Sequence, residues 1–406
     1  MNPWPKVALP DVQVQAPELK LQATSGDLIN RKFFNIYVCG ITPYDATHLG
    51  HALTYLFFDV ITRYQILANK QVNFIENVTD VDDPLFDRAN RDGVNWETLA
   101  KDQISLFTRD MTALRIMPPR KFDLVSETVG LVIEGLQKLE SKGLIYRLDT
   151  DLYLEISSFI NELPIPYAEA LEIFAQRGGD PNRLGKRDKL DPLLWRGKRE
   201  GEPSWPSPFG DGRPGWHIEC SVIALQQLNF SQIYDDAPVL DLQGGGSDLI
   251  FPHHFMTKII AESMVDRDFA AAYVHVGLLG LNGEKMSKSR GNLVFVHKLL
   301  EEKWDAMEIR HALLDSHYRE ERMWRNEFLF DSRKRVHNLR IALAKSEVAN
   351  TDAVIAEILQ FLANDLNTVS ALKALDKWAE LSIAGAVGGN AGELSRFIDA
   401  ALGLAL

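Results

Sequence analysis

The stretch Tyr37-Val-Cys-Gly-Ile-Thr-Pro-Tyr-Asp-Ala-Thr-His-Leu-Gly-His51 passes from a strand into a helix. Residues 33–38, short, apolar and β-rich, form a strand pattern buried on both faces. Residues 52–67 carry Leu53, Leu56, Phe57, Val60, Ile61 and Tyr64 at helical spacing, so that one helix face is buried. The turn therefore sets Cys39 at the carboxyl end of a strand and His48, Gly50 and His51 at a helix start. That is the crevice in which open α/β sheets bind ligands. A helix amino terminus offers unpaired N–H groups and partial positive charge, which suits a triphosphate.

At 406 residues the chain has room for two or three domains. Neither a membrane-spanning apolar run nor a signal-peptide start is expected, which makes the cytoplasm the expected location. A net charge of −12, from 56 acids against 44 bases without a long basic run, weakens the case for gripping a large nucleic acid. Two cysteines make no disulfide framework.

Their placement is more telling. Cys39 ends the first strand, and Cys220 follows Gly215-Trp-His-Ile-Glu at the start of an apolar helical run. Gly244-Gly-Gly-Ser-Asp-Leu-Ile-Phe-Pro-His-His254 adds histidines. Two cysteines and one histidine would leave one tetrahedral position open, the pattern of a working zinc, and zinc favours a thiol substrate over a hydroxyl. Both cysteines could equally be small buried hydrophobes, since the three segments are remote in sequence. Trp216 suits an aromatic wall or a core, and Asp248 a ribose hydroxyl or an ammonium group.

His48-Leu-Gly-His51 and, far downstream, Lys285-Met-Ser-Lys-Ser289 resemble the two nucleotide signatures of class I aminoacyl-tRNA synthetases. In that superfamily the second loop closes on ATP, and its lysines stabilise charge as the α-phosphate is attacked. Together with Asn77-Val-Thr-Asp-Val-Asp-Asp83, Arg213-Pro-Gly-Trp-His-Ile-Glu-Cys220 and Gly244-Gly-Gly-Ser-Asp248, they make the chain resemble the cysteinyl-tRNA synthetase superfamily from about Tyr37 to Trp324. More narrowly it resembles the mycothiol-pathway cysteine ligases. Ile41, Thr42 and Pro43 match that branch, where the tRNA enzymes resemble Cys-Gly-Pro-Thr-Val-Tyr-Asp. Arg177-Gly-Gly-Asp-Pro181 matches it too, and from the length beyond Ser289 a helical bundle is expected without the further anticodon-reading domain usual in the tRNA enzymes. There are departures: Gln176 stands where the ligases carry Glu, and Thr257 stands where the tRNA enzymes have a fourth metal ligand.

The resemblance implies a class I synthetase-type doubly wound α/β domain (Rossmann-like) with an inserted domain and a C-terminal helical bundle. It implies ligation of L-cysteine to the amino group of glucosaminyl-inositol through a cysteinyl adenylate, with ATP cleaved to AMP and diphosphate. His48, His51, Lys285 and Lys288 would stabilise the developing charge. Cys39, Gly40, Ile41, Thr42, Thr54, Asn77, Val78, Thr79, Trp216, Gly246, Ser247, Asp248 and Leu279 would line the adenylate pocket. Cys39, Cys220 and His253 would hold one zinc per chain, with His254 the open alternative to His253, and Mg2+ would accompany ATP. A monomer acting without tRNA or membrane is expected. The alternatives are a cysteinyl-tRNA synthetase with a shortened C-terminal region and a non-enzymatic paralogue.

In chain order, residues 1–30 are expected as an arm, 31–122 as the first half of the nucleotide-binding domain and 123–205 as the inserted domain. Residues 206–290 would be the second half and 291–406 the bundle. Asp80, Asp82 and Asp83 are expected to cap the next helix near Pro84. The charged run 177–208 is expected as loops over the site, its basic residues Arg177, Arg183, Lys186, Arg187 and Lys189 mainly a solvated face, with contact to phosphate or the acceptor sugar as the alternative.

Overall fold

The structure, a computed structural model, describes residues 4–226, 237–286 and 292–406. After a short strand β1 (Ser25–Gly26), β2 (Phe33–Ile41) runs three residues beyond the strand read from sequence, taking in Cys39 and Gly40. Its side chains alternate: Phe34, Ile36 and Val38 enter one core and Tyr37 and Cys39 the other. Both faces are thus covered, which is why the segment is almost wholly apolar. α1 (Leu49–Leu67) is followed by β3 (Gln71–Val78), α2 (Asp83–Asp92), α3 (Trp96–Ala113), β4 (Lys121–Leu124) and α4 (Val125–Ser141).

An antiparallel sheet interrupts the fold here, made in sequence order of β5 (Ile145–Leu148), β6 (Asp151–Leu154), β7 (Leu193–Gly197) and β8 (Gly212–Pro214), with α5 (Tyr167–Gln176) between β6 and β7. β7 lies in the run read from sequence as loops. Leu194 and Trp195 are fully buried there, and their packing pulls a charged segment into the sheet.

The chain then resumes its first pattern with α6 (Trp216–Leu225), β9 (Leu240–Gly246), α7 (Phe255–Val265) and β10 (Ala270–Val276). The main sheet has the order β1-β10-β9-β2-β3-β4, parallel except for β1. β2 and β9 lie side by side although two halves of the chain supply them, so the strand order reverses between them. This is the switch point of a doubly wound sheet. α1 and α3 cover one face together with the C-terminal helices, and α4, α6 and α7 cover the other.

β11 (Leu279–Leu281), β12 (Glu284–Lys285) and β13 (Arg322–Trp324) form a small sheet, and α8 (Val296–Glu301) lies between β12 and β13 in the chain. α9 (Ala306–Leu314), α10 (Glu327–Leu343), α11 (Thr351–Ala363), α12 (Thr368–Ile383) and α13 (Ala391–Leu402) complete a helical bundle. Buried charge ties it to α1: Arg63 and Arg310, both fully buried, pair with the equally buried Asp59, and Arg310 also donates to the carbonyls of Leu402 and Leu114 at 2.7 Å.

Candidate active site

The carboxyl ends of β2 and β9 open on a cavity of about 660 Å³. Its floor is set by Gly40, whose N–H donates to the Asn77 side-chain oxygen at 2.9 Å, an oxygen that the Tyr37 hydroxyl also reaches at 2.9 Å. A Cβ on Gly40 would stand 1.6 Å from the Asn77 carbonyl oxygen, so only glycine lets β2 approach β3 this closely. The Asn77 amide donates to the Thr79 hydroxyl at 3.0 Å, locking both side chains.

At the start of α1, His48 is the N-cap: its Nδ1 accepts from the Gly50 N–H at 3.1 Å, and its ring stacks on His51 with centroids 3.8 Å apart. The His51 ring faces the cavity and His48 supports it from behind. Gly246, at the end of β9, and Asp248 form the facing wall.

Deeper in, Cys39, Cys220 and His253 converge. Their ligand atoms lie within 4.8 Å of one another, the group of this kind among the described residues. All three are nearly inaccessible, and His253 Nε2 is 3.2 Å from Cys220 Sγ. Trp216 stacks on the His253 ring at 4.3 Å, and His217 Nδ1 lies 3.0 Å from His253 Nδ1. His254 also approaches a thiol, with Nε2 3.2 Å from Cys39 Sγ, but its other nitrogen is 2.7 Å from His275, which reaches Thr24 at 2.8 Å. Thr257, fully buried, turns its hydroxyl to the His217 carbonyl at 3.5 Å.

Burial holds the His217 and His254 rings well below the ordinary imidazole range, with neighbouring histidines adding to it, so both are neutral. Burial also pushes the Cys39 thiol up. At Cys220 burial acts in the same sense, but the Cys39 hydrogen bond and the His253 ring outweigh it and the thiol is lowered. Convergent buried sulfurs with an imidazole are the donor set zinc takes, and the residues present fit such an ion.

Of the residues expected in the adenylate pocket, Cys39, Gly40, Ile41, Thr42, Thr54, Asn77, Thr79, Trp216, Gly246 and Asp248 line the cavity. Val78 and Leu279 are instead packed in the core, and Ser247 lies outside the lining. Lys285 belongs to β12 by its backbone, which pairs with Gly280. Lys288 lies outside the described residues.

Sequence reading missed several lining groups: Tyr44, Asp82, Gln176, Arg177 and Gly178. Tyr44, Asp82, Arg177 and Gly178 stood inside quoted motifs, and Gln176 beside one. Asp82 caps α2 as expected, yet it also faces the cavity, where burial and then Asp83 push its carboxyl up to about 6. Arg177 belongs to the run expected as a solvated face. Its guanidinium instead donates to the carbonyls of Asp248 and Phe251, bracing the wall against α5. Nearby Arg183, Lys186 and Arg187 are held by Asp151, Asp180 and Glu155.

The model of class I tRNA synthetase (C) catalytic domains matches residues 26–334. Over the full length of both chains, the sequence is 47% identical to an L-cysteine:1D-myo-inositol 2-amino-2-deoxy-alpha-D-glucopyranoside ligase of Rhodococcus erythropolis. It is also 47% identical to a ligase of the same name from Nocardia farcinica, and 45% identical to that of Mycolicibacterium smegmatis, again over the full length of each. Among solved structures, Mycobacterium tuberculosis methionyl-tRNA synthetase in complex with methionyl-adenylate superposes with a TM-score of 0.65 at 16% identity, covering 92% of this chain and 89% of that one. A leucyl-tRNA synthetase of Agrobacterium radiobacter K84 gives 0.64 at 12% identity, covering 96% of this chain and 85% of that one. At such identities these two neighbours establish the fold alone.

Proposed function

The chain belongs to the class I synthetase (C) catalytic-domain family, among its L-cysteine:1D-myo-inositol 2-amino-2-deoxy-alpha-D-glucopyranoside ligases, and from this we infer an ATP-dependent ligase that joins L-cysteine to the amino group of glucosaminyl-inositol. The observation that carries the amino-acid assignment is the convergence of two buried thiols and an imidazole inside the nucleotide cavity.

Cys39, Cys220 and His253 would hold zinc, which when bound supplies a thiolate-selective contact that serine's hydroxyl cannot match. Trp216, stacked on His253, forms the wall at that end. The cysteine carboxylate then lies toward His51 and the α1 amino terminus, where its oxygen attacks the α-phosphate of Mg2+-bound ATP, breaking the α–β phosphoanhydride bond so that diphosphate leaves with the electron pair and a cysteinyl adenylate forms. His51, backed by His48, and the loop lysines Lys285 and Lys288 stabilise the charge that develops. In this reading Gly40 and Gly246 let backbone come close to the adenylate. The acceptor amine then displaces AMP from the cysteinyl carbonyl, forming the amide.

No described helix is long and apolar enough to cross a membrane. We place the reaction in the cytoplasm and assign it to a single chain.

The deciding experiment offers purified enzyme, ATP and cysteine to both acceptors. The expected result is cysteinyl-glucosaminyl-inositol with AMP. Charging of tRNA without sugar ligation would overturn the assignment, and absence of cysteine-dependent exchange of pyrophosphate into ATP would remove the enzyme reading altogether.

A further inference from the structure

Beside the main cavity lies a second one of about 340 Å³, between the inserted sheet and the nucleotide fold. The two share Asp82, Asp83, Arg177, Gly178 and Trp216 as common lining. An occupant of the second cavity therefore abuts an occupant of the first. Its volume falls within the ~300–1,000 Å³ typical of small-molecule sites.

Most charges of its lining are matched within the protein. Asp151 is paired with Arg183 and Arg199, and Asp83 with Arg196 and Arg213. A phosphate would compete with a built-in carboxylate for every one of these guanidiniums. Such pairs nonetheless keep capacity for neutral partners, since a carboxylate offers about four lone-pair sites and a guanidinium five N–H donors. A wall of this kind suits hydroxyl groups. At the junction of the two cavities, the Asp82 carboxylate accepts from the Asp83 N–H at 2.9 Å and from the Thr42 hydroxyl at 3.3 Å, leaving lone pairs on both oxygens.

We propose that this second cavity is the acceptor subsite: it takes the neutral, polyhydroxylated body of an amino sugar and presents the amino group to the Asp82 carboxylate at the junction. The proposal rests on the ligase reading of the main cavity. From that position the amine nitrogen attacks the cysteinyl carbonyl. A C–N bond forms, the bond from the carbonyl carbon to the phosphate oxygen breaks, that oxygen leaves as AMP with the electron pair, and the nitrogen releases one proton to water.

Two variants confined to the second cavity test it. Leu193→Trp fills the space, and Arg199→Gln removes a partly exposed donor from its rim. Each is assayed for cysteine-dependent exchange of pyrophosphate into ATP and for the KM of glucosaminyl-inositol in ligation. The expected result is exchange within about twofold of wild type and an acceptor KM raised at least about tenfold, with Asp82→Asn raising the same KM. Should Leu193→Trp lose exchange through misfolding, Arg199→Gln alone decides. An unchanged acceptor KM overturns the subsite. So does an acceptor KM that moves in Arg91→Ala and not in these variants, because Arg91 lines a different cavity, reached past Tyr44 and Asp87. Wild-type enzyme that exchanges pyrophosphate but ligates no sugar overturns the ligase reading, and this site with it.

Discussion

At Cys220 two roles meet in one side chain. The thiol is 1% exposed and belongs to the core around α6 and α7, and its sulfur also sits 3.2 Å from His253. Burial alone would have made it an ordinary small hydrophobe; the convergence of Cys39 and His253 gives it the partners with which it could hold a metal ion. Cys220→Ala is expected to leave the fold intact, to cut bound zinc from about one per chain to a small fraction, and to lower cysteine-dependent exchange at least ~100-fold. Metal analysis of the purified variant checks the first effect independently of activity, and full zinc content would refute the ligation. For the loop lysines the expectation comes from the motif. Lys288→Ala should slow single-turnover adenylate formation by about 10²–10³-fold while cysteine affinity stays the same, as expected of a group acting on transition-state charge.

Among the elements, the end of β2 is the least forgiving. Gly40 sits where two parallel strands approach so closely that a methyl group would overlap the Asn77 carbonyl oxygen. Gly40→Ala must push β2 and β3 apart. It is expected to destabilise the protein by at least ~2 kcal/mol in denaturant unfolding, and to abolish exchange because Asn77, Thr79 and Cys39 move with it. Other elements show where periodicity is a sufficient guide. α1 is long, with apolar residues repeating on one face, and was legible. β7 was not, since its Leu-Leu-Trp core is only a few residues long inside a charged run, and its strand character comes from burial against the inserted sheet.

Across the whole molecule, Asp59, Arg63 and Arg310 join the active-site helix α1 to the bundle through fully buried charge. Asp59→Asn would strand two guanidiniums in the interior and should cost about 3–5 kcal/mol, read by denaturant unfolding at neutral pH. Burial works to raise the Asp59 carboxyl, but Arg63 and Arg310 outweigh it and hold it below the ordinary range. A carboxyl lowered on folding stabilises the protein above its unfolded pKa of about 4, and that contribution is lost as pH falls through the folded value. Wild-type stability should therefore decline on acidification below about pH 4, and Asp59→Asn should show a shallower decline over the same interval.

Local patterning determined the strand-to-helix turn at Tyr37–His51 and the residue types of the site, because periodicity and motif chemistry act over a few neighbouring positions, while the doubly wound class was implied by the family resemblance those motifs carry. Tertiary packing decided that His253 rather than His254 completes the group with both thiols, that Val78 and Leu279 turn into the core, and that Arg177 braces the cavity wall. Cys39, Cys220 and His253 stand on segments far apart in the chain. They meet only once β9 lies beside β2 and α6 packs on α7, and no spacing along the sequence encodes that approach.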